Sequence, residues 1–229
     1  MTLDTNIPPE KLLTTIQQEY KILAEYKMIQ SEDVGGVYVI PSHENSFLWF
    51  GVIFVRDGYY KDGVFRFNIS LPDQFPEDKN PPTVIFQSEV FHPLVCPYTG
   101  TLNISEAFPI WKAGSSHIWQ LLKFIQFVLV HPEECLSQDK FSNPIAAELL
   151  SQNKADFLTK VKNCVELSIE RVFETSPTED KHYITFEKFE AEIHGPVLEN
   201  LKKNQDNSSP QCSGLSWVKE GEFKPLSRE

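Results

Sequence analysis

Four cysteines, six histidines and 32 acidic side chains are the groups of this 229-residue sequence that could do chemistry. The thiols stand at Cys96, Cys135, Cys164 and Cys212, with no Cys-x-x-Cys pair and no Cys/His spacing of a zinc site. His43, His92, His117, His131, His182 and His194 are scattered, with no His-Glu-x-x-His helix among them. No Gly-x-Ser-x-Gly elbow occurs, and Gly35-Gly36 is not followed by a phosphate-loop Gly-Lys. No metal and no cofactor is expected. The acidic pairs at 77–78 and 179–180 read as solvated turn charges.

One stretch concentrates the remaining possibilities. Phe91 to Trp111 has no helical period and no alternation, and prolines at 93, 97 and 109 withhold amide donors. A long irregular loop in a compact domain is usually functional, and the apolar residues here argue for a packed one. Cys96 is its one thiol, with His92 the only nearby candidate base. An ordinary loop thiol is the plainer reading, and His92 is expected to satisfy a loop backbone group. Cys135 and Cys164 read as packing, and Cys212 falls in a polar tail.

The elements that must position this loop follow from pattern. A helix is expected over 10–30, with Leu12, Ile16, Leu23 and Tyr26 packed on a sheet. Strands are expected over 37–40, 47–56, 64–71 and 83–86, an antiparallel meander backed by that helix. A buried helix follows over 118–130, then one long helix from Ile145 to about Phe173, closed by Pro177. Residues 181–203 read either as a broken helix folded back on the core or as a partner surface. The tail past 204 is a polar linker carrying Trp217 and Phe223, two aromatics suited to anchoring on the core or on a partner.

Composition narrows the class. A net charge of −11 argues against nucleic acid, which needs clustered Lys and Arg, and against anionic membrane surfaces. Hydrophobic content of 41% suffices for a core. No signal peptide is expected at the N-terminus, and the apolar window at 118–130 is too short to span a bilayer. Free thiols without a framework fit a reducing cytosol.

At this point particular residues become specific. Residues 49–72, WFGVIFVRDGYYKDGVFRFNISLP, resemble the second and third strands of ubiquitin-conjugating enzymes. Residues 71–86 resemble that family's Tyr-Pro…Pro-Pro-x-x-x-Phe segment, with Phe75 in the Tyr place. Phe91-His92-Pro93 resembles the start of its His-Pro-Asn motif, and Trp111, His131-Pro132 and Asn143-Pro144 match later landmarks. The ending GLSWVKEGEFKPLS resembles that of the fused-toes, or AKT-interacting-protein, subfamily. The resemblance implies an α+β conjugating fold: an N-terminal helix, a four-stranded antiparallel sheet, C-terminal helices and an extension. Its boundaries would be a lead over 1–9, a core over 10–174, an extension over 175–203 and a tail over 204–229.

The same resemblance implies that the chemistry is missing. The family needs a cysteine thiolate to carry ubiquitin as a thioester, in a run Gly-x-Ile/Val-Cys-Leu. The matching run here is Gly100-Thr101-Leu102-Asn103-Ile104, so Asn103 stands in the cysteine place. The family's oxyanion-steadying Asn after His-Pro is matched by Leu94, which has no side-chain donor. The loop between them is one residue longer than usual, and the turn Trp111-Lys112-Ala113-Gly114 lacks the family's proline. The chain is therefore expected not to be an enzyme. The subfamily implies an adaptor joining Hook and FHIP proteins in a cytoplasmic complex on endosomal vesicles, and binding of AKT kinase. A non-covalent ubiquitin-binding cofactor, and a transferase using Cys96, stand as alternatives.

Overall fold

The computed structural model describes residues 9–137 and 140–207; the tail bearing Cys212, Trp217 and Phe223 lies outside them. Helix α1 runs Pro9–Ser31, followed by strands β1 Val37–Pro41, β2 Leu48–Phe54, β3 Val64–Ser70 and β4 Thr83–Phe86. The strands form one antiparallel sheet in the order β1-β2-β3-β4. Helices α2 Ile118–Val130, α3 Pro144–Gln152, α4 Lys154–Glu170 and α5 Ala191–Asn207 complete the elements, with short 3-10 turns at Glu134–Ser137 and Arg171–Phe173. The chain divides into two compact units, Met1–Phe186 and Glu187–Glu229.

The core lies between one sheet face and helices α1 to α4. β3 alternates as a half-buried strand should, with Phe65, Phe67 and Ile69 inward and Arg66 and Asn68 outward. The inward set joins Trp49 and Ile53 of β2 and six buried apolar residues of α2 in one cluster. Burying each such side chain contributes on the order of 2 kcal/mol before chain entropy is counted. α2 buries one face completely, while Trp119, Phe124 and Val130 at its flanks are half-buried against the core, so it is less enclosed than its sequence predicts.

Four expectations are corrected. α1 buries Ile22 and Glu25, with Gln18, Tyr26 and Ile29 half-buried, while Leu12, Leu13, Ile16, Tyr20 and Leu23 are exposed. The inward face is polar at two points because those side chains have partners there. Gln18 Nε2 donates to the Asp73 and Phe75 carbonyls, at 2.6 and 3.1 Å. The Glu25 carboxylate accepts from the Ile118 amide and lies 2.9 Å from His117 Nδ1, capping α2.

The helix expected from Ile145 to Phe173 is two helices. Asn153 ends α3 through its amide to the Leu149 carbonyl and starts α4 by accepting from the Asp156 amide at 3.3 Å. Residues 181–190 carry no helix, and α5 extends through Asn207, past the expected linker start at 204.

Asp180, expected to be a solvated turn charge, is buried at 8% exposure. It belongs to a strap, residues 175–186, that crosses the sheet face opposite α1 and α2. Its carboxylate accepts from Ser42 Oγ at 2.5 Å and from the His182 and His43 amides at 2.8 and 3.1 Å. Burial alone would raise the Asp180 carboxyl, but these bonds and one from the Glu44 amide hold it well below the usual carboxylate range.

Candidate functional site

The loop that could do chemistry folds as a short irregular hairpin. Val95 pairs with Leu102, flanked by backbone bonds from Asn103 to the Leu94 carbonyl and from Cys96 to the Thr101 carbonyl, at 2.8 and 2.9 Å. Gly100 fixes its register. It has φ +70°, and a Cβ there would come within 2.3 Å of the Phe86 carbonyl oxygen, so only glycine fits against β4. Asn103, three residues on, lies across from Leu94.

The Asn103 carboxamide is engaged at both ends. Its oxygen accepts from the Ser105 amide and hydroxyl at 3.1 and 2.7 Å, a local turn motif. Its Nδ2 donates to the Lys140 carbonyl at 3.2 Å. A neutral amide offers no nucleophile at neutral pH, and this one braces two loop segments. Leu94 is fully buried in the core cluster. Its side chain gives nothing to a developing oxyanion, and its amide is taken by His92.

His92 has no exposed surface. Its Nδ1 accepts from the Leu94 amide and its Nε2 lies 3.0 Å from the Val128 carbonyl, so Nε2 carries the proton. Burial lowers its pKa to about 4. Both ring nitrogens are spent on backbone groups, as expected from the sequence, and neither can act as base toward Cys96.

Cys96 is half-buried. Hydrogen bonding by the Thr99 side chain, then by the Tyr98 and Thr99 backbone, lowers its thiol pKa. It borders a groove of about 430 Å³ that Phe86, Phe91, Asn143 and Cys164 also line. In the hairpin it pairs with Thr101, two residues from Asn103, and so does not replace Asn103 in the frame. Burial raises the Cys164 thiol and pushes the Cys135 thiol up to about 11. Sequence reasoning missed the thiolate-favouring turn at Cys96; the only available signal was Thr99 three residues on.

Among the described residues, no group of three His, Cys, Asp or Glu side chains could hold a metal, and no helix is long and apolar enough to cross a membrane. Two apolar stripes face solvent instead. One is the outer face of α1 with Leu12, Ile16, Tyr20 and Leu23; the other, in the second unit, is Phe189, Ile193, Val197, Leu198 and Leu201.

Comparison with known proteins agrees with this architecture. The model of the ubiquitin-conjugating enzyme family matches residues 16–165. The chain is similar to the crossbronx homolog of Culex quinquefasciatus, 58% identical over all of both chains, and to crossbronx of Drosophila willistoni, 52% identical over all of both. A solved ubiquitin conjugating enzyme E2 domain of Toxoplasma gondii superposes with a TM-score of 0.55 at 23% identity, covering 65% of this chain and 96% of that one, a likeness of fold.

Proposed function

The chain belongs to the ubiquitin-conjugating enzyme family, and from that premise we propose that it has no acyl-transfer chemistry and works as a protein-binding subunit. The observation that carries this reading is Asn103, in a frame set by Gly100, with its carboxamide held from both sides and a buried Leu94 opposite. A thioester needs a sulfur at that place and a donor beside it. Two exposed apolar stripes supply what a binding subunit needs, since large contiguous apolar surfaces mark interaction sites.

The partners in this proposal are those the fused-toes resemblance implies: Hook and FHIP proteins, and AKT kinase. The setting is cytoplasmic, peripheral on endosomal membranes through those partners. The α5 stripe recurs at 193, 197 and 201, the spacing with which one helix meets another. Capture of a helical Hook segment by the full chain should fall at least tenfold in Ile193→Asp/Leu201→Asp, with the thermal midpoint of unfolding unchanged. Undiminished capture would remove α5 from the proposal.

Two other readings have a definite test. The intact family scaffold favours a non-covalent ubiquitin-binding cofactor; ubiquitin chemical shifts that move at micromolar protein would support it, and silence favours the adaptor. The hydrogen bonds that stabilise a Cys96 thiolate favour a transferase built on that residue. Loss of a thioester adduct in Cys96→Ser would establish it.

A further inference from the structure

β2 directs Phe50 and Val52 away from the helices, yet both are buried, at 5% and 1% exposure. An antiparallel sheet with one solvated face would leave them wet. Tyr183 of the strap meets Phe50 edge-on at 5.1 Å, and Phe186 meets Phe54 edge-on at 5.8 Å. Between these rings the Arg66 guanidinium lies over both, 5.5 and 4.9 Å from their centroids, and donates to the Ile184 carbonyl. Its second nitrogen donates to the Val172 carbonyl at 3.0 Å. The face therefore engages two aromatic side chains three residues apart and one carbonyl between them, and these contacts do not depend on the side chains of Ile184 or Thr185.

We propose that this outer sheet face is a docking surface for a short non-helical aromatic-x-x-aromatic segment, that Tyr183-Ile184-Thr185-Phe186 fills it in cis, and that a partner segment of the same chemistry reaches it only by displacing the strap. Three observations make the strap displaceable. It forms no ladder with any strand. Its polar hold on the sheet is concentrated at Asp180 on the 42–44 turn, His182 on the Pro41 carbonyl and Ile184 on Arg66. A cavity of about 240 Å³ remains beside it, lined by Arg66, Ser88, Arg171, Pro177 and Tyr183, where close contacts are forfeited.

Tethering sets the balance. A segment on a short connection has an effective concentration on the order of millimolar, so a free peptide binding at about 100 µM would correspond to a face closed about ten to one. A partner segment binding at about 1 µM would then open it at ordinary concentrations.

The test uses the full chain and a fluorescein-labelled peptide of residues 178–188. Tyr183→Ala/Phe186→Ala empties the face and should bind the peptide at least tenfold tighter than the unsubstituted chain, with amide shifts at Phe50, Phe54 and Arg66. A peptide carrying the same two alanines should not bind. A variant that unfolds cooperatively yet ignores the peptide, or an unsubstituted chain that binds it equally well, overturns the proposal. Should the double variant not fold, Asp180→Asn loosens the strap and should raise peptide binding at least threefold; unchanged binding overturns the proposal as well. Neither ubiquitin nor a Hook segment enters this test, so its failure leaves the non-catalytic reading standing.

Discussion

Asn103 and His92 are polar residues of the loop whose hydrogen-bonding atoms are already occupied. That occupancy has a measurable consequence at His92. Its pKa is 6.5 when unperturbed and about 4 in the folded chain, so on acidification the unfolded state takes the proton first. The stability that neutral His92 contributes is complete above pH 6.5. It is lost as pH falls from 6.5 to 4, by about 3 kcal/mol in all. Urea unfolding at intervals across that window should show the slope, and His92→Gln should flatten it while lowering stability at neutral pH. A flat profile in the unsubstituted chain would contradict the buried neutral ring. The backbone role of His92 was legible from its place before Pro93 in a proline-rich loop. The burial of Asp180 was not, because its partners lie about 140 residues away at Ser42 and its neighbours.

At the scale of elements, α1 shows how polarity can mislead. Leu12, Ile16 and Leu23 suggest the inner face, whereas Gln18, Ile22, Glu25, Tyr26 and Ile29 form it. Polar residues occupy it because the ends of neighbouring segments need acceptors and donors there. Glu25→Ala should therefore cost about 1–3 kcal/mol by leaving the buried Ile118 amide unpaired, whereas Leu23→Ala should cost little. Equal losses in urea unfolding would place the inner face on the other side of the helix. The break between α3 and α4 was readable in Asn153 followed by Asp156, a capping pattern overridden by the continuing apolar stripe. β2 carried a second unread signal. Leu48 to Phe54 is apolar without alternation, the mark of a strand covered on both faces, and the strap is the second cover.

For the whole molecule, the sequence motifs located the family's scaffold, and Asn103 and Leu94 are the departures from it that the resemblance implies. Strand order and the buried α2 were legible because both follow from periodicity and turns, whereas the pairing of Val95 with Leu102 inside the irregular loop was not. The strap and the capping of α2 by Glu25 depend on contacts far apart in sequence, which no local pattern encodes. The chain has a conjugating-family scaffold, and its use for binding is the proposed function. The most direct test supplies the full chain with ubiquitin, activating enzyme and ATP, and resolves the products without reducing agent. The account predicts no ubiquitin adduct on this chain, with a catalytic family member charged in parallel. An adduct that reducing agent removes and Cys96→Ser abolishes would contradict it.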